Sequence, residues 1–138
     1  MFEAIQALAG GDINPSRFVK LSTAADYTLL EADANEQTVG ASTDATRDAP
    51  VPNASTLAAA SGEPVHVKTI GSICLVTVGS GGVTRGALVK SDADGKAVLA
   101  ATTGTTVQWV SGRALATCAE GELAPILLES YPYRPALA

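Results

Sequence analysis

The sequence predicts an all-β, mainly antiparallel fold, a small β-barrel domain built from two related β modules with extended N- and C-terminal arms. Three observations lead to this prediction. Short runs with strand-like alternation recur along the 138-residue chain, separated by Gly, Pro and Asp. The intervals between these runs are too short for crossover helices, which excludes parallel α/β folds. A set of short motifs also occurs twice in the same order.

The first twelve residues are expected to form an N-terminal arm. Phe2, Ile5 and Leu8 have helical spacing, but the segment is too short for a stable isolated helix, and a glycine pair ends it. We therefore expect an arm that becomes ordered only against something else, or a short packed turn. A single β-barrel domain follows over residues 13–128, and residues 129–138 form the C-terminal arm.

In the first half of the barrel domain, the apolar pattern predicts three short strands and then a long loop. The strands cover residues 17–21, 27–32 and 38–42. Residues 43–61 are a loop insertion because they are rich in Asp, Pro and Asn, which favour turns. Within this loop, residues 54–60 have the composition for one or two helical turns.

Strong β character returns at residue 64 and continues to residue 78, where Gly71 indicates a bend or bulge rather than a stop. An Asp-Gly turn within residues 91–95 predicts a hairpin. The remaining predicted strands cover residues 87–90, 96–100, 105–111, 112–116 and 122–129.

The C-terminal arm contains the sequence Tyr131-Pro132-Tyr133-Arg134-Pro135. Two prolines so close together exclude a central strand, so we expect an extended segment. Tyr131 and Tyr133 are two of the three tyrosines of the chain. On an extended arm these amphipathic rings are candidates for contacts with another molecule. The alternative is that the arm folds back on its own barrel.

The internal repeat consists of three short motifs in a fixed order. The matched pairs are Phe18-Val19-Lys20 with Leu88-Val89-Lys90, Val39-Gly40-Ala41 with Ser111-Gly112-Arg113, and Gly62-Glu63 with Gly121-Glu122. The first copy carries the loop insertion before its Gly-Glu motif. Because each module alone would leave an apolar sheet face in contact with water, we predict that the two modules close one barrel together.

The charge balance argues against a nucleic-acid partner. Nine Lys and Arg face fourteen Asp and Glu, which gives a net charge of −5, and no basic run occurs. Binding to phosphates requires clustered cations, and this chain lacks them. The acids concentrate between residues 26 and 48, which fits a solvated face, or alternatively a surface for a basic partner.

Membrane spans, a signal peptide and a disulfide framework are not expected either. The longest apolar run is far shorter than the roughly 18 residues that a membrane span needs. Glu3 stands where a signal peptide requires cations. Cys74 and Cys118 are too few for a disulfide framework, and Cys74 lies in an apolar run where a thiol behaves as a small hydrophobic group.

No catalytic, metal-binding or cofactor-binding residues are predicted. His66, the single histidine, lies between two valines, and no Gly-x-Ser-x-Gly motif accompanies it. Asp92, Asp94 and Gly95 lack the further oxygen ligands of a calcium loop, and the hairpin turn already explains them. The glycine-rich residues 79–82 lack the Gly-Lys-Ser/Thr of a phosphate-binding loop, and no Cys and His cluster suits zinc.

An ordered series of motifs resembles the small decoration proteins, or capsid cement proteins, of tailed bacteriophages. The segments that carry the resemblance are residues 14–21, 37–42, 62–67, 86–97, 110–115 and 121–122. Together they extend over most of residues 13–128. The insertion at residues 43–61 and the Tyr-Pro tail depart from the family pattern. The resemblance implies a β-barrel or β-tulip-like body outside an icosahedral head.

The resemblance also implies a function. It implies a structural virion protein that binds the outer capsid surface, assembled in the host cytoplasm, and stabilises the head by bridging major capsid subunits. Its partners would be the major capsid protein and further copies of this chain, as a homotrimer or else a dimer, with no nucleic acid, membrane, cofactor or enzymatic activity. Candidate capsid or oligomer contacts are Phe2, Ile5, Leu8, Tyr131, Tyr133 and Arg134.

Two other functions stay open at this point. One is a different virion β-domain, in a tail, a baseplate or a receptor-binding module. The other is a small ligand-binding barrel or enzyme that uses His66 with Asp92 or Asp94.

Overall fold

A computed structural model describes residues 4–46, 53–101 and 106–134 of the chain. These residues form strands and loops without any helix, so the predicted all-β class is confirmed. The strands are β1 (Ala4–Ala9), β2 (Phe18–Leu21), β3 (Thr28–Glu31), β4 (Gly40–Ser42), β5 (Pro64–Thr69), β6 (Ile73–Thr77), β7 (Leu88–Ser91), β8 (Ala97–Leu99), β9 (Gln108–Ala114) and β10 (Leu123–Tyr133).

The first module is a closed barrel of strands in the order β1-β3-β2-β4-β5. Closure depends on β1, which pairs antiparallel with β5 and parallel with β3. Residues 4–9 are therefore a strand, and the expected arm or packed turn is wrong for them. Ala7 and Ala9 are buried while Leu8 is exposed, so the segment has the period of a strand. Phe2 lies outside the described residues.

The second module repeats this strand order as β6-β10-β9-β7-β8. Among the described residues, its two edges are joined by one parallel bridge between Val78 and Ala97, at the place where β1 pairs parallel with β3 in the first module. The register also repeats, since Val19 pairs with Gly40 and Val89 with Gly112. The two related modules are confirmed, whereas the prediction that they close one barrel together is wrong, because the first module closes a barrel alone.

The repeated Gly-Glu motif makes the same hydrogen bonds in both modules. The Gly62 amide donates to Ala9 O at 2.7 Å, and the Gly121 amide donates to Val78 O at 3.0 Å. Each glutamate carboxylate then accepts a bond from the amide three residues before it. The motif recurs in the sequence because it fixes the turn before the last strand of each module.

Each module has its own apolar interior, and one surface of the first module extends the interior of the second. The first interior is built from small and branched residues such as Val19, Val65 and Val67. Phe18, Ala32 and Ala41 belong instead to the core of the second module, and Phe18 is fully buried. The modules are therefore joined by core packing, with Phe18 as the largest side chain that the first module contributes.

The chain continues as a strand into the expected C-terminal arm. After an irregularity between Leu128 and Tyr131, β10 pairs with β9 through Tyr131, Pro132 and Tyr133. β6 pairs only with residues 123–127 of β10, so Pro132 lies where β10 has a neighbour on one side alone. Up to Tyr133 the segment is extended, as predicted, but it is paired with the second sheet, and residues 135–138 of the predicted arm lie outside the described residues.

The loops also differ from the predictions in detail. In the predicted insertion, residues 43–46 and 53–61 contain no strand, and residues 47–52 lie outside the described residues. In it the Leu57 amide donates to Ser55 Oγ at 3.2 Å in a turn, and no helical turn forms in residues 53–60. Gly71 lies in a turn where the chain passes from β5 in the first sheet to β6 in the second.

Candidate interaction surfaces

The outward side of β6, β10 and the end of β9 carries a group of apolar side chains, called the apolar face below. Its members are Ile73, Leu75, Leu115, Leu123, Pro125 and Leu127. They are neighbours because Ile73 pairs with Leu127 and Leu75 with Pro125, while the Leu115 amide donates to Pro125 O at 3.0 Å. Its most open leucine and isoleucine side chains are between 40% and 52% exposed.

The corresponding positions of the first module are mostly polar. Gln6 pairs with His66 as Leu75 pairs with Pro125, and the Thr43 amide donates to His66 O as the Leu115 amide donates to Pro125 O. In place of Ile73, Leu75 and Leu115 the first module has Ala4, Gln6 and Thr43. In place of Leu123, Pro125 and Leu127 it has Pro64, His66 and Lys68. At corresponding register positions the first module therefore has mostly polar residues where the second has the apolar face.

A polar cluster borders the apolar face on β9 and β10. Arg113 Nε lies 3.8 Å from Glu129 Oε1, and Arg113 Nη1 donates to Gly86 O at 3.1 Å. Tyr131 lies beside this pair, and burial, followed by the Glu129 charge, raises the pKa of its hydroxyl. The cluster gives the apolar face a polar rim, which is the usual arrangement at a protein interface.

The residues predicted as contacts are distributed over both modules. Leu8 is exposed on β1, and it lines a shallow groove with Tyr27 and Pro64. Tyr133 lies on β10 of the second module and Arg134, which follows β10, is exposed. Ile5 lies in β1, and its side chain is not among the described parts of the structure. The structure therefore does not bring Leu8 and Tyr133 into one site, and the pattern of the sequence did not single out the apolar face or Tyr27.

His66 lies at an open groove of about 310 Å³ on the first module. The groove is also lined by Glu63, whose carboxylate accepts a bond from the Ala60 amide at 2.8 Å. Asp92 and Asp94 belong to the β7–β8 turn, where Asp92 Oδ1 accepts bonds from the amides of Asp94 and Lys96 at 2.8 and 2.9 Å. The structure thus gives Asp92 and Asp94 a role in the turn.

Within the part of the chain that the structure describes, no three His, Cys, Asp or Glu residues are grouped to hold a metal ion. Cys74 is buried and Cys118 half-buried, and both are free thiols. No described helix has the length and apolarity to cross a membrane.

Comparison with known proteins gives no family model and no curated protein that matches the sequence. Among solved structures, the chain is similar to the N base of the head fiber gp8.5 of bacteriophage phi29. The two share 19% sequence identity with a TM-score of 0.63, over 91% of this chain and 92% of that chain. The similarity extends over both modules, and it shows that the two chains have the same fold.

Proposed function

We propose that this chain is a structural protein of a bacteriophage virion, a decoration or cement protein on the outer surface of an icosahedral head. The observation that carries the proposal is the fold shared with a phage head-fiber base over 91% of the chain. The resemblance of the sequence motifs to capsid decoration proteins supports the same conclusion from a different direction. In this role the chain bridges major capsid subunits and is not an enzyme.

Bridging explains how such a small protein stabilises a shell. Once one contact has formed, the second is intramolecular, and the overall affinity rises by a factor of about 10² to 10⁴. Binding to the assembled shell, and not to its dissociated subunits, shifts the equilibrium toward the shell. The net charge of −5 suits the outside of the head, where the chain is kept from the phosphates of packaged DNA.

We assign the capsid contact to the apolar face. Contiguous exposed apolar side chains with a polar rim mark protein interaction sites. The first module supports this assignment because it has polar residues at most of the corresponding positions, so the shared fold does not require apolar residues there. The partner surface is then the outside of the major capsid protein, and the chain binds there as a homo-oligomer, a trimer in preference to a dimer.

The proposal is tested by mixing the purified chain with undecorated, expanded heads of the phage that encodes it. We expect saturable binding at hundreds of copies per head, and heads that resist higher temperatures. Leu75→Glu should weaken binding about tenfold or more, since it places a charge in the centre of the face. Val107→Glu, at a residue that is 49% exposed near the other end of β9, is the matched control and should bind normally.

Two outcomes contradict the proposal. An absence of saturable binding removes the head-decoration function. A copy number of only a few per virion assigns the chain to a tail, a baseplate or a receptor-binding module instead. Loss of a measurable catalytic or ligand-binding activity in His66→Ala, at unchanged stability, would support the rival enzyme or ligand-binding barrel.

A further inference from the structure

One surface of the first module is covered by a hairpin of the second. The Phe18 amide donates to Gly95 O at 2.8 Å, and Arg17 Nη1 donates to Asp94 O at 3.0 Å. Gly95 and Asp94 form the tip of the β7–β8 hairpin. A Cβ atom on Gly95 would lie 3.1 Å from Phe18 O and 3.2 Å from Arg17 Cβ. The hairpin tip therefore fits closely against the first module.

The second module has the same surface, and no hairpin from within the described residues covers it. The counterparts of Arg17, Phe18, Glu31 and Ala32 are Ala87, Leu88, Leu99 and Ala100. These four residues line a mainly apolar cavity of about 150 Å³ together with Tyr133. Leu99 remains 41% exposed at its edge. A cavity of about this size is large enough for a benzene ring.

The backbone at this surface repeats as well. The Ala32 amide donates to Phe18 O at 2.9 Å, and the Ala100 amide donates to Leu88 O at 3.0 Å. The amide of Phe18 has Gly95 O as its acceptor. Among residues 4–46, 53–101 and 106–134, no loop or turn carbonyl accepts a bond from the amide of Leu88. Within the described residues, the position that receives a hairpin carbonyl in the first module therefore receives none in the second.

The β2–β3 hairpin of the first module carries an aromatic residue, Tyr27, in its turn. Thr28 O accepts a hydrogen bond from the Ser22 amide, and Lys96 O accepts the equivalent bond from the Asp92 amide. The residues directly before Thr28 and Lys96, which are Tyr27 and Gly95, therefore correspond. Both residues have a positive φ, 52° at Tyr27 and 75° at Gly95. A bulky residue pays a steric cost for this conformation, and such strain concentrates at functional positions. The Tyr27 side chain is nevertheless 76% exposed.

We propose that the β2–β3 hairpin of one copy of this chain inserts Tyr27 into the Leu88–Leu99–Tyr133 cavity of a second copy. The occupant is a second copy because the fold already contains this type of contact between its own modules. The receiving surface also suits an aromatic ring, since the Arg17–Glu31 ion pair, 3.6 Å apart, is replaced by Ala87 and Leu99. The contact joins two different surfaces, so it closes a ring or extends a chain of copies.

The inference rests on the homo-oligomer included in the proposed function, and its test uses the purified chain without heads. Failure of self-association is therefore distinguishable from failure of capsid binding. Sedimentation equilibrium over a range of concentrations measures the association constant. We expect reversible association, which Leu99→Lys and Tyr27→Asp each weaken about tenfold or more. An equal mixture of the two variants should recover it, because Tyr27 of the Leu99→Lys chain then meets the intact cavity of the Tyr27→Asp chain, while the new carboxylate faces the new ammonium.

Ile70→Lys is the matched control, since Ile70 and Leu99 are both 41% exposed, and it should leave self-association unchanged. Circular dichroism and thermal melting of each variant establish that it is folded. The inference is overturned if the chain stays monomeric at every concentration, if Ile70→Lys abolishes association while Leu99→Lys does not, or if the mixture of folded variants shows no recovery. The inference is also overturned if the chain is a monomer and Leu99→Lys destabilises it as much as removal of residues 135–138 does. That result would mean that the end of the same chain fills the cavity.

Discussion

The first module has Lys68 on β5, and the second module has Leu127 at the same place on β10. His66 and Pro125 correspond in the same way, as do Gln6 and Leu75. On the surface that joins the modules the two also differ in burial, since Phe18 is fully buried and its counterpart Leu88 is only half-buried. The first module is thus covered by the second, while the second keeps two apolar surfaces open.

This difference separates what the fold needs from what an interface needs. Both modules keep an apolar interior and the same turn before the last strand, and these are the features of the shared fold. Exposed apolar residues that only one module carries are not explained by the shared fold. They identify the surfaces that another molecule is expected to cover. The duplication therefore serves as an internal control within one chain.

The largest expected difference between the modules lies at the joint. Phe18→Ala should lower the free energy of unfolding by about 4 kcal/mol, because it removes a fully buried aromatic ring from the core that both modules share. Leu88→Ala, at the corresponding half-buried position, should cost about 1 kcal/mol. Denaturant unfolding of the two variants measures both values. Equal losses would contradict the asymmetry of the joint.

Two corresponding glycines test whether the modules share their tightest backbone packing. A Cβ atom on Gly40 would collide with Lys68 O, and one on Gly112 would lie 2.7 Å from Leu127 O and collide with Ile126. Gly40→Ala and Gly112→Ala should each destabilise the protein by about 3 kcal/mol. Gly11→Ala is the control, since the nearest atom would be 3.8 Å away, and it should be nearly neutral. If either substitution leaves the free energy of unfolding unchanged, Gly40 and Gly112 do not have the same role in the two modules.

The second module alone carries a buried thiol that titrates. Burial raises the pKa of Cys74 from 9.0 to about 11. Between these values the unfolded thiol has lost its proton and the folded one still holds it, so stability is complete below pH 9 and falls as the pH rises. The loss should reach about 2 kcal/mol near pH 11. The corresponding position of the first module is Ile5, which cannot titrate.

Cys74→Ala isolates the thiol in this experiment. Lys20, whose pKa the Glu36 carboxylate raises, and Tyr131, whose pKa burial raises, add losses of the same sign in both proteins. Urea unfolding at pH 8 and pH 11 should therefore show a smaller decline in the variant than in the parent. Parallel curves for the two proteins would exclude Cys74 as a source of the decline.

The smallest expected effect concerns a buried hydrogen bond between the modules. Thr38 Oγ1 donates to Ser111 Oγ at 2.9 Å, and both residues are buried. Thr38→Val or Ser111→Ala should each cost about 1 kcal/mol, because each leaves one buried hydroxyl without this partner. In the double variant the losses should be less than additive. Full additivity would show that the bond contributes nothing to the joint.

The sequence was sufficient for the features that depend on neighbouring residues. The Asp-Gly turn between β7 and β8 and the two Gly-Glu turns are local, because their carboxylates accept bonds from amides within a few residues. The repeat of Val-Lys and Gly motifs predicted the shared strand order. These features could be predicted because the residues that determine them are adjacent in the chain.

Other features depend on partners that are distant in the chain. β1 is a strand because β3 and β5 take its hydrogen bonds, and its small alanines give only a weak alternation. Residues 123–128 are apolar on both sides, a pattern that is also typical of a fully covered strand. Only the structure shows that Leu123, on one side, is exposed while Ile126, on the other, is buried. The apolar face could not be recognised without that information.

The most direct test of the proposed function is an image of decorated heads at a resolution that distinguishes the two modules. We predict density at the local symmetry axes of the outer surface, with the apolar face around Leu75 and Leu127 against the capsid and His66 and Lys68 of the first module away from it. Density with the first module against the capsid, or heads without added density, would contradict this account.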